Sequence, residues 1–194
     1  YRPDGGSVAT SGNDQTVRLW DPATGRRLAL LRAEAAPPYL DRYPLVAFNS
    51  DGSRIASSTG LKSGILDLYI VPGAGTSRLW DAATGKEVAV LAKWHEGIRP
   101  VTFSPDGKRV AVGSAKYVHL CDAATGRPLV ALGPHATTVG LLAYSPDGRR
   151  MASALAYDPD DAKRMASSAD VGSNNVHLWD GESGKEVAVL GGHT

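Results

Sequence analysis

The sequence has little cysteine, phenylalanine or methionine, and no excess of either charge. Its single cysteine, Cys121, excludes an intrachain disulfide, so the fold must hold without one. Basic residues number 21 and acidic residues 20, which leaves a formal net charge of +1. Binding to duplex nucleic acid by phosphate neutralisation needs a basic field, so that class is set aside. Long apolar runs are also missing. The longest, around Gly64 to Val71, is broken by Asp67. It is far short of the roughly 20 residues of a membrane-spanning helix. No signal peptide opens the chain. The chain does begin inside a motif, so a natural N-terminus further upstream is expected, and the cytoplasm is the expected compartment. The hydrophobic share, 42% of 194 residues, is enough for a core.

What is present is a repeat. The stretch VATSGNDQTVRLWDPATGRRLALL runs from Val8 to Leu31. It holds three β-runs broken by Gly12-Asn13-Asp14 and by Asp21 to Gly25. Its later part returns as Thr76 to Leu91, Tyr117 to Leu132 and Asn175 to Leu190. Such self-similarity sets the whole fold. A second marker precedes each copy: YRPDGG at Tyr1, FNSDGS at Phe48, FSPDGK at Phe103 and YSPDGR at Tyr144. Pro-Asp-Gly presets a tight turn, with glycine at the positive torsion. Each unit therefore reads as four antiparallel strands: strand, PDG turn, strand, variable loop, strand ending at Asp, Thr-Gly turn, strand.

Asp81 to Asp122 is a period of about 41 residues, in the range of about 40–45 for four-stranded repeat units. The neighbouring periods are longer because of insertions between second and third strands. The expected units are 1–31 (first strand missing), 44–91 with an insertion at 59–75, 98–132, and 139–190 with an insertion at 155–174. A smaller, proline-bearing expansion covers Ala33 to Tyr43. Within the last insertion, AYDPDDAKRMASS resembles a tandem copy of AYSPDGRRMASA at Ala143 to Ala154. The first copy, with its turn glycine intact, is expected to form the sheet; the opposing choice gives the second strand to Lys163–Asp170.

PDG turns, Ser-Gly-Asn-Asp before a strand, Trp-Asp, and a Gly-His-like dipeptide at this spacing resemble the WD-repeat family of β-propellers. The resemblance covers essentially the whole chain and looks prokaryotic in style. It implies an all-β propeller with four blades represented, a central channel, and a scaffold role in binding other proteins. It also implies a structural hydrogen-bond network of His, Ser or Thr, Asp and Trp in each blade. Thr10, Asp14 and Trp20 match in the first unit. Trp80 matches in the second, with little else. His95 matches in the third, where Val112, Lys116 and Cys121 replace the rest. His135, Asp170 and Trp179 match in the fourth, with Ser153 or Ser167 as the hydroxyl. Trp20, Trp80 and Trp179 are expected to be largely buried, and the second and third blades to be the softer ones. His193 would belong to a further unit.

No catalytic set emerges. His95, His135 and His193 have no chelating spacing. Asp21, Asp81, Asp122 and Asp180 each precede a turn that an Asp side chain caps. Cys121 stands where a core tryptophan belongs, so a buried inert thiol is expected. Asp158 to Asp161 lacks the spaced ligands and glycine of a calcium loop. Gly73 to Thr76 lacks the lysine and helix of a phosphate loop. The basic pairs at Arg26, Lys108, Arg149 and Lys163 read as solvated faces. No metal or other cofactor is expected.

The function read from the sequence is a non-enzymatic protein-interaction scaffold. The alternative is an enzyme or ligand-binding propeller using the central channel. In the family's geometry both insertions stand on one face. Leu61, Ile65, Leu66, Tyr69, Ile70, Tyr157 and Asp158 are the candidate partner contacts, by an exposed apolar patch or, equally, as packing on a neighbouring blade. The expected partners are other proteins, with no nucleic acid and no membrane. A slice of a longer array of seven or eight blades is expected, completed by flanking residues or by another chain; two copies side by side giving eight blades are the second reading, and a closed four-bladed monomer the third.

Overall fold

A computed structural model describes residues 1–12, 14, 16–32, 45–59, 75–94, 100–114, 116–135, 138–155 and 175–191. Every regular element among them is a strand. Sheet 1 holds β1 (Val8–Ser11), β2 (Thr16–Trp20) and β3 (Arg27–Arg32). Sheet 2 holds β4 (Leu45–Phe48), β5 (Arg54–Thr59), β6 (Gly75–Asp81) and β7 (Glu87–Trp94). Sheet 3 holds β8 (Val101–Phe103), β9 (Arg109–Gly113), β10 (Val118–Asp122) and β11 (Pro128–Leu132). Sheet 4 holds β12 (Val139–Tyr144), β13 (Arg150–Leu155), β14 (Val176–Asp180) and β15 (Glu186–Leu190). Strand order in each sheet follows the chain, and neighbouring strands pair antiparallel. Thr59 and Gly75 lie inside β5 and β6, and Leu155 inside β13, so the long connections are shorter than the sequence boundaries suggest. The first hairpin copy, with its intact PDG turn, supplies β12 and β13.

Two recurrent turns set this geometry. At the PDG turns, Gly5, Gly52, Gly107 and Gly148 take φ between 71 and 75°, where only glycine is unstrained. The turn Asp accepts from the backbone two residues on, as in Lys108 N to Asp106 Oδ1 at 3.0 Å. At the second turn, the Asp ending the third strand accepts from Thr or Ser. Asp122 Oδ1 takes Thr125 N at 2.8 Å and Thr125 Oγ1 at 2.6 Å. These bonds hold the Asp21, Asp81, Asp122 and Asp180 carboxyls below the usual carboxylate range. Their place in the fold is structural.

The sheets stack in chain order, with β1 beside β4, β4 beside β8, and β8 beside β12. Each interface has its own apolar cluster. Val17, Leu19 and Leu31 of sheet 1 meet Ile55 and Trp80 of sheet 2. Ala56 and Leu79 of sheet 2 meet Val110, Cys121 and Ala123 in and beside sheet 3. Val118, Leu120 and Leu132 of sheet 3 meet Met151 and Trp179 of sheet 4. A fully buried Leu or Val at such a site stabilises by about 1.5–3 kcal/mol relative to exposure. The outer strands of sheets 1 to 3 also seat on the next sheet's Thr-Gly or Ser-Gly turn. A Cβ placed on Gly85 would lie 3.0 Å from Leu31, on Gly126 2.3 Å from Ala89, and on Gly184 2.6 Å from Leu132. Arg109, which the sequence suggested to be solvated, instead donates to the Gly181 carbonyl at 2.8 Å and ties sheet 3 to a turn of sheet 4.

Cys121 is 1% exposed, and burial pushes its thiol up to about 11. The thiolate is the reactive form. Native protein at mildly alkaline pH should therefore resist an aromatic disulfide reagent, while denatured protein should react fully and at once. A fast native reaction would place the thiol outside the core.

Candidate functional site

The site begins at the end of each sheet where the second and third strands are joined. In sheet 1 that connection runs from Gly12 to Gln15, and in sheet 3 from Ser114 to Tyr117, closed by Ser114 N donating to Tyr117 O at 2.7 Å. In sheets 2 and 4 the same two strands are joined through residues 60–74 and 156–175. The long connections thus alternate with short ones along the stack and leave from the same sheet end. The Gly113↔Val118, Thr59↔Thr76 and Ala154↔Val176 pairs mark that end. Leu61, Ile65, Leu66, Tyr69, Ile70, Tyr157 and Asp158 lie outside the described residues, as do His95, Asp170 and His193.

A polar network underlies this end in sheet 4. The Trp179 indole donates to Ser153 Oγ at 2.8 Å, and Ser153 Oγ lies 2.8 Å from His135 Nε2. Nδ1 faces the Lys116 carbonyl, which can only accept, so the neutral ring carries its proton on Nδ1 and Nε2 accepts the Ser153 hydroxyl proton. Nδ1 lies 3.2 Å from the Lys116 carbonyl, which also accepts from His135 N at 2.7 Å. His135 therefore pins the short connection of sheet 3 to the second strand of sheet 4. Trp80 repeats the bond to Ser57 Oγ at 2.8 Å, and Trp20 to Thr10 Oγ1 at 2.7 Å. Ser57 was missed in the sequence, although it holds the register of Ser153: each faces the residue two before the tryptophan. In sheet 3 that register holds Val112, and Cys121 replaces the tryptophan; both are buried. Donor and acceptor are lost together there, so neither is stranded.

Two placements differ from the sequence reading. Asp14 bonds to Thr16 Oγ1 at 2.7 Å, Thr16 N at 3.2 Å and the Arg18 guanidinium, and so braces its own loop. Trp20 is only half-buried, whereas Trp80 is 4% and Trp179 5% exposed. The reason is the stack. Each of the buried indoles lies against the preceding sheet, and among the described residues none precedes sheet 1.

Burial, opposed by the Lys116 carbonyl, holds the His135 imidazole below its ordinary 6.5, with His177 lowering it further. Its ring centroid is 4.9 Å from that of His177. The unfolded chain therefore binds the extra proton first, and this contribution to stability is lost as pH falls through 6.5 towards the lower folded value. Urea unfolding midpoints should drop across that window, and His135→Gln should flatten the drop. An equal drop in the variant would acquit His135.

A cleft of ≈ 380 Å³ lies between sheets 3 and 4, lined by Leu132, Pro134, His177, Trp179 and Glu186 among others. His177 Nδ1 and Glu186 Oε1 are 2.6 Å apart there, the place that Arg78 and Glu87 fill in sheet 2. Among the described residues no group of three or more His, Cys, Asp or Glu side chains could hold a metal ion. No helix among them is long and apolar enough to cross a membrane.

Residues 1–21 match the family model described as WD domain, G-beta repeat. That match takes in β1 and β2. Curated proteins similar to the chain include a guanine nucleotide-binding protein subunit beta of Oryza sativa subsp. indica, 32% identical over 117 residues. That alignment takes in 59% of this chain and 27% of the rice protein. Subunit beta-2 of Nicotiana tabacum is 32% identical over 115 residues, 58% of this chain and 27% of its own length. Subunit beta of Zea mays is 30% identical over 117 residues, 59% and 27%. The chain thus spans about a quarter of the length of these relatives. All three are plant proteins, so the prokaryotic style read from the repeats finds no support in them.

Proposed function

We propose that this chain is a non-enzymatic protein-interaction scaffold, whose WD sheets hold the two long connections as its partner-binding surface. One observation carries the reading: the long connections join the same pair of strands, at the same sheet end, in alternate sheets. Long connections in a compact β-domain are where function concentrates. The short connection of sheet 3 shows that the sheet itself does not need the extra length. The similar plant proteins are by name subunits, which agrees with a role among protein partners. In this reading Leu61, Ile65, Leu66, Tyr69, Ile70, Tyr157 and Asp158 are contact residues, and the sheets belong to a ring of seven or eight blades.

The test replaces residues 60–74 and 156–174, separately and together, by the Ser114–Tyr117 connection. Affinity capture with the parent chain, read by mass spectrometry, defines the retained proteins. The replaced chains should keep the unfolding free energy within about 1 kcal/mol, the usual scale of a tolerated loop change, and lose those proteins. Undiminished capture by a well-folded replaced chain would refute the surface. Turnover in a hydrolase panel that survives the replacement would favour an enzyme working from the channel.

A further inference from the structure

The cleft between sheets 3 and 4 occupies a place that sheet 2 fills with one of the chain's own side chains. Arg78 and His177 hold the same position, two residues before Trp80 and Trp179. Glu87 and Glu186 also correspond, each facing its tryptophan across the strand pair. In sheet 2 the Arg78 guanidinium bonds the Glu87 carboxylate, and the arginine side chain is 6% exposed. Sheets 1 and 3 lack the acid, because Arg27 and Pro128 face Trp20 and Cys121. Sheet 4 keeps both the tryptophan and the acid but carries the shorter histidine.

The His177 ring lies nearly parallel to the Trp179 indole, with centroids 5.8 Å apart and an angle of 16° between the planes. Its Nδ1 meets Glu186 Oε1, and among the described residues no lysine or arginine pairs with that carboxylate, which is 45% exposed. The volume a guanidinium would fill is left as the cleft of ≈ 380 Å³. That size falls within the roughly 300–1,000 Å³ of small-ligand sites. Leu132 and Pro134 line it beside His177 and Trp179, so its walls are neighbouring parts of one chain. Val189, on its rim, is exposed; its counterpart Val90 is exposed too, although sheets flank sheet 2 on both sides. The exposure therefore belongs to the register.

We infer that this cleft takes an arginine side chain of a partner protein, its guanidinium on Glu186 as that of Arg78 is on Glu87. The carboxylate calls for a cation, and the apolar walls suit an aliphatic stem. The aromatic wall selects a planar guanidinium, which stacks on rings and forks onto a carboxylate, over the point charge of an ammonium. The exposed apolar rim of Ala131 and Val189 suits the residues flanking an arginine in a protein and offers little to a small guanidinium compound. The inference goes beyond the scaffold reading and does not rest on the long connections.

NMR titration of the 194-residue chain with acetyl-Gly-Arg-Gly-amide tests it, at pH 8, where an imidazole is neutral. The Trp179 indole N–H and His177 ring signals should shift and saturate. Glu186→Gln should weaken binding at least about tenfold, or more than 1.4 kcal/mol. His177→Arg rebuilds the arrangement of sheet 2, fills the cleft from within and should abolish binding; Glu186→Gln decides the matter if that variant does not fold. Glu182→Gln removes an exposed charge from the neighbouring turn and should leave the affinity unchanged. The lysine tripeptide and methylguanidinium should both bind more weakly. Failure to saturate, equal affinity for the lysine tripeptide, an affinity indifferent to Glu186→Gln, or an equal loss with Glu182→Gln overturns the inference. Methylguanidinium binding as tightly as the arginine tripeptide overturns the protein source. None of these results bears on capture of proteins by the long connections, which keeps its own test.

Discussion

Trp80→Ala is expected to destabilise the chain by about 3–5 kcal/mol, the range for removing a large aromatic from a core. The indole is 4% exposed and packs with Val17, Leu19, Leu31 and Ile55, so the loss opens the interface between sheets 1 and 2. It also strands the Ser57 hydroxyl, which is 3% exposed and accepts the indole proton at 2.8 Å. An unpartnered buried hydroxyl costs about 1–3 kcal/mol by itself, which pushes the total to the upper part of the range. Trp20→Ala should cost clearly less, because no described sheet covers that indole. Urea unfolding followed by circular dichroism checks both. A loss below about 1 kcal/mol at Trp80 would contradict its place in the core.

Gly126→Ala should be the most damaging glycine substitution among the Thr-Gly turns. Its φ of 75° charges any L-residue about 1–2 kcal/mol for the left-handed region. The new methyl would also fall 2.3 Å from the Ala89 Cβ, on a strand that cannot swing aside without breaking its pairing with β6. Overpacking of this kind adds about 1–3 kcal/mol. Gly25→Ala carries only the first cost, since nothing lies within 4 Å of it. The two variants, unfolded in urea, should differ by about the overpacking cost. Equal losses would mean that the outer strand does not bear on the turn.

Local chemistry was legible from residues alone. PDG and Thr-Gly turns announce themselves through glycine at a positive torsion and an Asp that caps, and the strands between them follow. The tandem hairpin copy could be ranked because a tight turn needs its glycine, which Asp161 lacks. Relations between sheets were harder to read. Trp20 and Trp80 have the same neighbours in sequence, and their exposure differs only because one has a sheet in front of it. Ser57 was overlooked because its network lacks a histidine and an aspartate at the expected places, although its register alone suffices to meet the indole. The seating of Leu31, Leu91 and Leu132 on turn glycines joins residues a whole unit apart, which no local pattern displays. The candidate contacts in the long connections, Leu66, Tyr69 and Ile70 among them, were chosen by apolar character and remain proposals.

Hydrogen exchange of the chain, alone and bound to a captured partner, tests the scaffold reading most directly. Amides in residues 60–74 and 156–174 should slow on binding. Those in the Thr-Gly turns at Gly85 and Gly126 and the Ser-Gly turn at Gly184 should exchange at unchanged rates, because those turns already pack against the preceding sheet. Slowing confined to the turns or to the outer strands β7 and β11, with the long connections unaffected, would contradict the account.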